Sequence, residues 1–305
     1  NTMGLSLFHV ILVGSCSFSF LVNLIFSIGM FVPGFAGFPY TILDINFTYY
    51  LSMKLPPWTY TVMFSSLFWL SLIKIYQITC LFRDNAANKP MIYRNPSTNI
   101  VFLFVETLTY VMNIIGISLW VRESMVAAII FVLFVIILSW LNFATLCFAT
   151  RSFLDKEEDY DYGDILMVRA GIFNGWCMFA WWNVFNGLHT LALTINYNSE
   201  QGTSMVNEVP GVLTMYIIMM IVMILWFVLD NSLLDTYTRF CITPYIVWMF
   251  FLGAIYSENY DLLEEDVIFL GNINVACLSI AVISFIAKLV FAGYKHAKEQ
   301  DDDDD

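Results

Sequence analysis

Seven side chains that carry or exchange a proton stand inside apolar stretches of this 305-residue chain: His9, Lys74, Glu106, Arg169, His189, Asp230 and Lys288. In hydrocarbon each is costly, so each is a functional candidate by default. Lys288 sits in Ile283-Ser284-Phe285-Ile286-Ala287-Lys288-Leu289-Val290-Phe291. An amine held among apolar side chains is suited to condense with an aldehyde into a Schiff base. The protonated imine would then need a nearby carboxylate. Glu106, in Phe104-Val105-Glu106-Thr107-Leu108, is the one to supply it. Lys74 is a second cation within reach of the same carboxylate. The residue types thus leave two chemistries open: an imine on Lys288 with Glu106 as counterion, or a Lys74/Glu106/Lys288 cluster that binds a substrate or ties helices together. Arg169 and Asp230 lie near segment ends and are read as reaching for the headgroups. His9 and His189 are read as buried, hydrogen-bonded histidines.

Helices spanning a bilayer must position these groups. Hydrophobic residues make up 59% of the chain and charged ones 12%, with a mean hydropathy of +0.73. Soluble domains carry about a quarter charged residues, so lipid must be much of the solvent here. A spanning helix needs about 20 mostly apolar residues. Candidates are 5–32, 58–82, 100–121, 125–150, 165–195, 212–229, 241–256 and 267–294. The seventh is short and contains Pro244, so it either spans or lies across the interface. Residues 1–300 form one membrane domain, followed by an acidic tail at 301–305. Pro210, Pro244 and the glycines from Gly171 to Gly187 are candidate helix breaks.

Lys and Arg collect in alternate loops: Arg83, Lys89 and Arg94, then Arg151 and Lys156, then Arg239, whereas 196–211 and 257–266 have none. That pattern puts the amino terminus in the cytoplasm and the sequon Asn46-Phe47-Thr48 outside. The formal net charge of −12 comes largely from acidic loops and the tail. With no basic patch to neutralise phosphates, nucleic acid is excluded as a partner. Six cysteines occur singly, with no CxxC pair, and read as small buried hydrophobes; no metal site is expected. Neither a glycine-rich phosphate loop nor an HExxH motif occurs, and no catalytic constellation suggests an enzyme.

The segment ending Ile283-Ser284-Phe285-Ile286-Ala287-Lys288 resembles the last helix of heliorhodopsins, seven-helix retinal proteins with a cytoplasmic amino terminus. Further matches follow in order: Phe8-His9, Glu106 at the counterion position, Trp140-Leu141, Ala170-Gly171-Ile172 and Val209-Pro210-Gly211. The stretch 33–57 resembles the family's long first outer loop. The resemblance implies a rhodopsin-like seven-helix bundle with one extra hydrophobic segment, the alternative being eight transmembrane helices. It implies a photoreceptor binding all-trans retinal on Lys288, with Glu106 as counterion, Ser284 beside the imine, His9 in a cytoplasmic polar network, and Trp140 and Trp226 in the pocket wall. It also implies slow sensory signalling and a homodimer. The other reading, from the residues themselves, is a transporter, channel subunit or receptor built around the charge cluster.

Overall fold

A computed structural model describes residues 7–48, 55–84, 90–154, 160–197, 209–259 and 265–304. The sequon side chains, Lys89, Lys156 and the central parts of the acidic and lysine-free loops lie outside the described residues. No strand forms among the described residues; the chain is helical throughout. In order the helices are α1 (Leu7–Gly29), α2 (Ile42–Thr48), α3 (Tyr60–Thr79), α4 (Ile100–Trp120), α5 (Met125–Leu154), α6 (Tyr162–Leu166), α7 (Phe173–Asn196), α8 (Val209–Asn231), α9 (Asp235–Thr238), α10 (Thr243–Asn259) and α11 (Glu265–Asp304).

Among the described residues six stretches are long and apolar enough to cross a membrane: Leu7–Gly29, Pro57–Thr79, Ile100–Trp120, Met125–Arg151, Val209–Asn231 and Ile268–Lys295. They bury a minority of their residues against protein and turn large apolar side chains such as Phe68, Phe104, Phe148 and Ile283 outward. That is how a helix facing lipid must look. Two other long helices, α7 and α10, match the expected segments 165–195 and 241–256. At 17 residues α10 is short for a full crossing, and the polar content of α7 is explained by its surroundings. Nineteen of the 24 residues of α7 are buried, and the helix packs against α3, α5, α8 and α10. Surrounded by protein, it can carry Asn174, Asn183, Asn186, His189 and Thr190. α10 lies between α7 and α11.

Long helices that follow one another in the chain run antiparallel, whereas α1 and α4, packed through Cys16–Glu106, Phe20–Tyr110 and Asn23–Asn113, run parallel. Gly116 of α4 faces Phe131 and Val132 of α5. Gly187 of α7 faces Ile136 of α5, while Trp176 of α7 donates its indole N–H to the Ser139 carbonyl. The end of α7 is joined to the start of α8 where the Gly211 N–H donates to Asn196 Oδ1 at 3.0 Å. A Cβ on Gly211 would lie 2.5 Å from the Ala192 carbonyl oxygen, so glycine is required for this approach. At the opposite end Asn174 holds the start of α10. Its Oδ1 accepts from the N–H groups of Ile242 (2.9 Å) and Thr243 (3.1 Å), and its Nδ2 donates to the Phe240 carbonyl. These caps satisfy backbone donors that a helix start leaves open.

The candidate breaks resolve unevenly. Pro210 and Pro244 are each the second residue of a helix, α8 and α10, where a missing N–H costs nothing; neither breaks one. The interruption falls instead at Met167–Ile172, a π-helical stretch between α6 and α7 that contains Gly171. The carbonyl of Gly171 accepts the Trp69 indole N–H at 2.9 Å. Outside the spans, Asp44 accepts from the Thr41 backbone N–H and hydroxyl. Those two donors hold its carboxyl below the usual carboxylate range.

Candidate functional site

Two buried ion pairs and one internal cavity organise the polar chemistry. The first pair joins α3 to α4. Lys74 Nζ lies 2.6 Å from Glu106 Oε2, with side-chain exposures of 5% and 0%. The remaining valences are filled by neighbours. Tyr110 donates to Glu106 Oε1 at 2.8 Å, one helical turn on. Cys16 of α1 lies 3.2 Å from Glu106 Oε2. Lys74 also donates to Gln77 Oε1 (2.9 Å) and Cys16 Sγ (3.1 Å). Gln77 Nε2 in turn reaches the Ser97 carbonyl at 2.9 Å. A buried pair is stable only when such extra bonds complete it, and here they do.

The second pair joins α8 to α11. Lys288 Nζ lies 2.9 Å from Asp230 Oδ2, with exposures of 1% and 0%. Tyr245 of α10 donates to the same oxygen at 2.5 Å. Unlike the first pair, this one is incomplete. Asp230 Oδ1 has no hydrogen bond among the described residues, and Lys288 Nζ has none beyond its contact with Asp230. Two turns further along α11, Lys295 Nζ meets Asp235 Oδ2 at 3.0 Å and the Asn231 carbonyl at 3.2 Å. Lys288 and Lys295 therefore fasten one face of α11 to the α8–α9 corner.

These distances correct two sequence expectations. The carboxylate facing Lys288 is Asp230, and Glu106 is occupied by Lys74. Asp230, expected to reach for the headgroups, is fully buried. Its position next to the last residue of α8 leads into protein, because α9 and α10 fold back over that end. Lys288 and Glu106 do lie at the same end of the bundle. Asp230 ends α8 beside the start of α7, and the start of α7 packs on the end of α3 through Trp69 and Ile73. They are on different sides of it, with α11 packed on α8 and α10, and α1 packed on α4 and α3.

The other expected site residues scatter. Ser284 is buried one turn before Lys288. His9 stands edge-on to Tyr93, ring centroids 4.9 Å apart, beside an open groove of about 270 Å³ lined also by Asn95 and Asn99. Trp140 and Trp226 do meet, at 5.0 Å, in an aromatic cluster that includes Trp181, Trp248 and Phe143. Tyr245 connects this cluster to Asp230, its ring 4.8 Å from Trp248.

The cavity lies between α1, α3, α4, α5 and α7 and has a volume of about 50 Å³. Ser27, Tyr60, Asn113, Asn183, Asn186 and Thr190 supply its polar lining; Met30, Met63, Trp120, Phe179 and Trp182 supply much of the apolar part. Helical spacing explains how both cavity and ion pair arise on the same helices. On α4, Glu106, Tyr110 and Asn113 share a face at intervals of four and three. On α1, Cys16, Asn23 and Ser27 do the same, and Asn113 donates to Asn23 at 2.8 Å. The antiparallel α3 reverses the order, with Tyr60 and Met63 at the cavity and Lys74 and Gln77 at the pair. Seven residues of helix rise about 10 Å, so the cavity starts roughly that far from Glu106. Sequence reading missed Cys16, Gln77, Tyr110, Asn113, Asn183 and Tyr245 as site residues. The available signal was polar periodicity within apolar helices: Asn183, Asn186 and Thr190 at intervals of three and four mark one stripe of α7.

Compared with known protein families, curated proteins and solved structures, the chain shows no match.

Proposed function

We propose that the chain is a multi-pass membrane protein that binds a small amphipathic molecule within its bundle, as a receptor or carrier. The cavity is the observation that carries this reading. It combines uncharged polar groups with aromatic walls inside a helical bundle, the composition of a small-molecule site, and at about 50 Å³ it must widen to take a ligand larger than a few waters. Met30 and Met63, unbranched and adaptable, are the side chains best able to yield to a ligand larger than the present space. The alternating helix directions and the basic-loop pattern together support eight crossings with both ends cytoplasmic. That places the cavity in the outer half and both ion pairs in the inner half. The Lys74–Glu106 pair is then the structural tie between helices, being fully bonded.

The test uses Gly116→Leu. A Cβ on Gly116 would lie 3.6 Å from Phe131 and 3.9 Å from Val132, so a leucine there crowds the α5 wall of the cavity, which Val132 lines. Mass spectrometry of extracts from the purified wild type should reveal a co-purifying small molecule that is absent from the variant. Equal content in both would overturn the reading.

The retinal reading keeps one specific support: a buried Lys288 beside a carboxylate with a free oxygen, Asp230. In this form Asp230, not Glu106, is the counterion. Purification with all-trans retinal should then yield a visible band that hydroxylamine bleaches and that Lys288→Ala abolishes. A colourless preparation would end it.

A further inference from the structure

We infer that the cavity selects an uncharged ligand that donates a hydrogen bond, such as a phenol, an alcohol or an N–H heterocycle; this rests on the binding reading above. Among the described residues no Asp, Glu, Lys, Arg or His lines the cavity. An ionic ligand entering it would lose its hydration and find no countercharge, a penalty that keeps unpaired charges out of such sites.

Two lining side chains are already oriented. Asn183 Nδ2 donates to the Phe179 carbonyl at 2.8 Å, one turn back on its own helix. Reversing the amide would set oxygen against oxygen, so Oδ1 is fixed as the outward acceptor. Thr190 gives its only hydroxyl proton to the Asn186 carbonyl at 2.8 Å. Each therefore offers an oxygen with lone pairs. Tyr60, Ser27 and Asn186 add groups that both donate and accept, without charge. A ligand lacking a donor would cover these oxygens and leave them unpaired, which is where hydrogen-bonding sites discriminate most. Aromatic shape is favoured by the walls, where Tyr60 and Trp182 meet edge-on at 5.6 Å.

The experiment measures phenol, anisole and benzoate binding to the full chain in nanodiscs by equilibrium dialysis, with Gly116→Leu nanodiscs as the blank for partition into lipid. These probes share a ring and differ in having a donor, no donor, or a charge. Phenol should bind about tenfold tighter than anisole, the ratio expected for one buried hydrogen bond, and benzoate should show no cavity-dependent binding. Asn183→Leu should bring the phenol-to-anisole ratio close to one while anisole still binds. If anisole or benzoate equals or exceeds phenol in the wild type, the selectivity inference fails and the binding reading stands. If none of the three differs between wild type and blank, the binding reading itself fails. Photolabelling with 4-azidophenol provides a check that needs no variant: label should map to the cavity lining, on α7 between Phe179 and Thr190, on α3 between Tyr60 and Leu67, on α4 between Asn113 and Trp120, or at Ser27, Met30 or Val132. Label confined to residues outside that lining would overturn the inference.

Discussion

Replacing Glu106 by Ala should cost about 3–5 kcal/mol of stability, the penalty for removing one partner of a buried ion pair. The substitution leaves the Lys74 ammonium, 4% exposed, with Gln77 Oε1, Cys16 Sγ and the face of the Tyr110 ring among the described residues around it. It also strands the Tyr110 hydroxyl, whose sole partner is Glu106 Oε1. All six cysteines are free and buried, so unfolding can be followed on heating as they become reactive toward a maleimide dye. The midpoint should fall on the order of ten degrees. The double variant Glu106→Leu with Lys74→Met should recover only part of the loss. It removes both charges but still leaves the Tyr110 hydroxyl unpaired and deprives Gln77 Oε1 of its donor. A single variant indistinguishable from wild type would mean that α1, α3 and α4 are not tied together by this pair.

Composition alone announced a lipid-facing bundle, because the outward faces of the six spanning stretches answer to hydrocarbon and nothing else. The interior was harder to read. α7 is among the least apolar of the long helices and yet the most enclosed, since a helix ringed by other helices is released from the demand that lipid imposes. Lys288 was legible as buried because apolar turns flank it on both sides. Its partner was not. Asp230 precedes Asn231, Ser232 and the α8–α9 corner, and in sequence a carboxylate before a polar corner resembles a helix end reaching for water. Only the return of Tyr245 and α11 over that corner encloses it, a tertiary event without a local signature. Glu106 was recognisable as a buried carboxylate, but its choice of Lys74 over Lys288 depends on which helices become neighbours. α3 and α4 are joined by the segment carrying Asn95, Ser97 and Asn99, whose bonds to Tyr76, Gln77 and the start of α4 fix the two side by side.

The two ion pairs should respond oppositely to having both charges removed. Asp230→Leu alone leaves Lys288 buried without a carboxylate, and its cost should match that of Glu106→Ala, about 3–5 kcal/mol. Combining Asp230→Leu with Lys288→Met should return the protein to within about 1 kcal/mol of wild type, because apolar side chains of similar volume often replace a buried pair without loss. The difference from the first pair lies in the bystanders. Among the described residues Glu106 is encircled by four donors, whereas Asp230 Oδ2 accepts from Tyr245 besides the lysine and Oδ1 has no hydrogen bond. Adding Tyr245→Phe removes that last orphan, and the triple variant should be at least as stable as the double. An ion pair so incompletely bonded contributes little to the fold beyond neutralising itself. The double variant separates stability from chemistry: a protein that keeps its melting midpoint but loses a ligand or a colour assigns the loss to the chemistry of these two side chains. If the double variant is as damaged as the single one, the pair is a structural clamp on α11, and Lys295 with Asp235 is its second fastening.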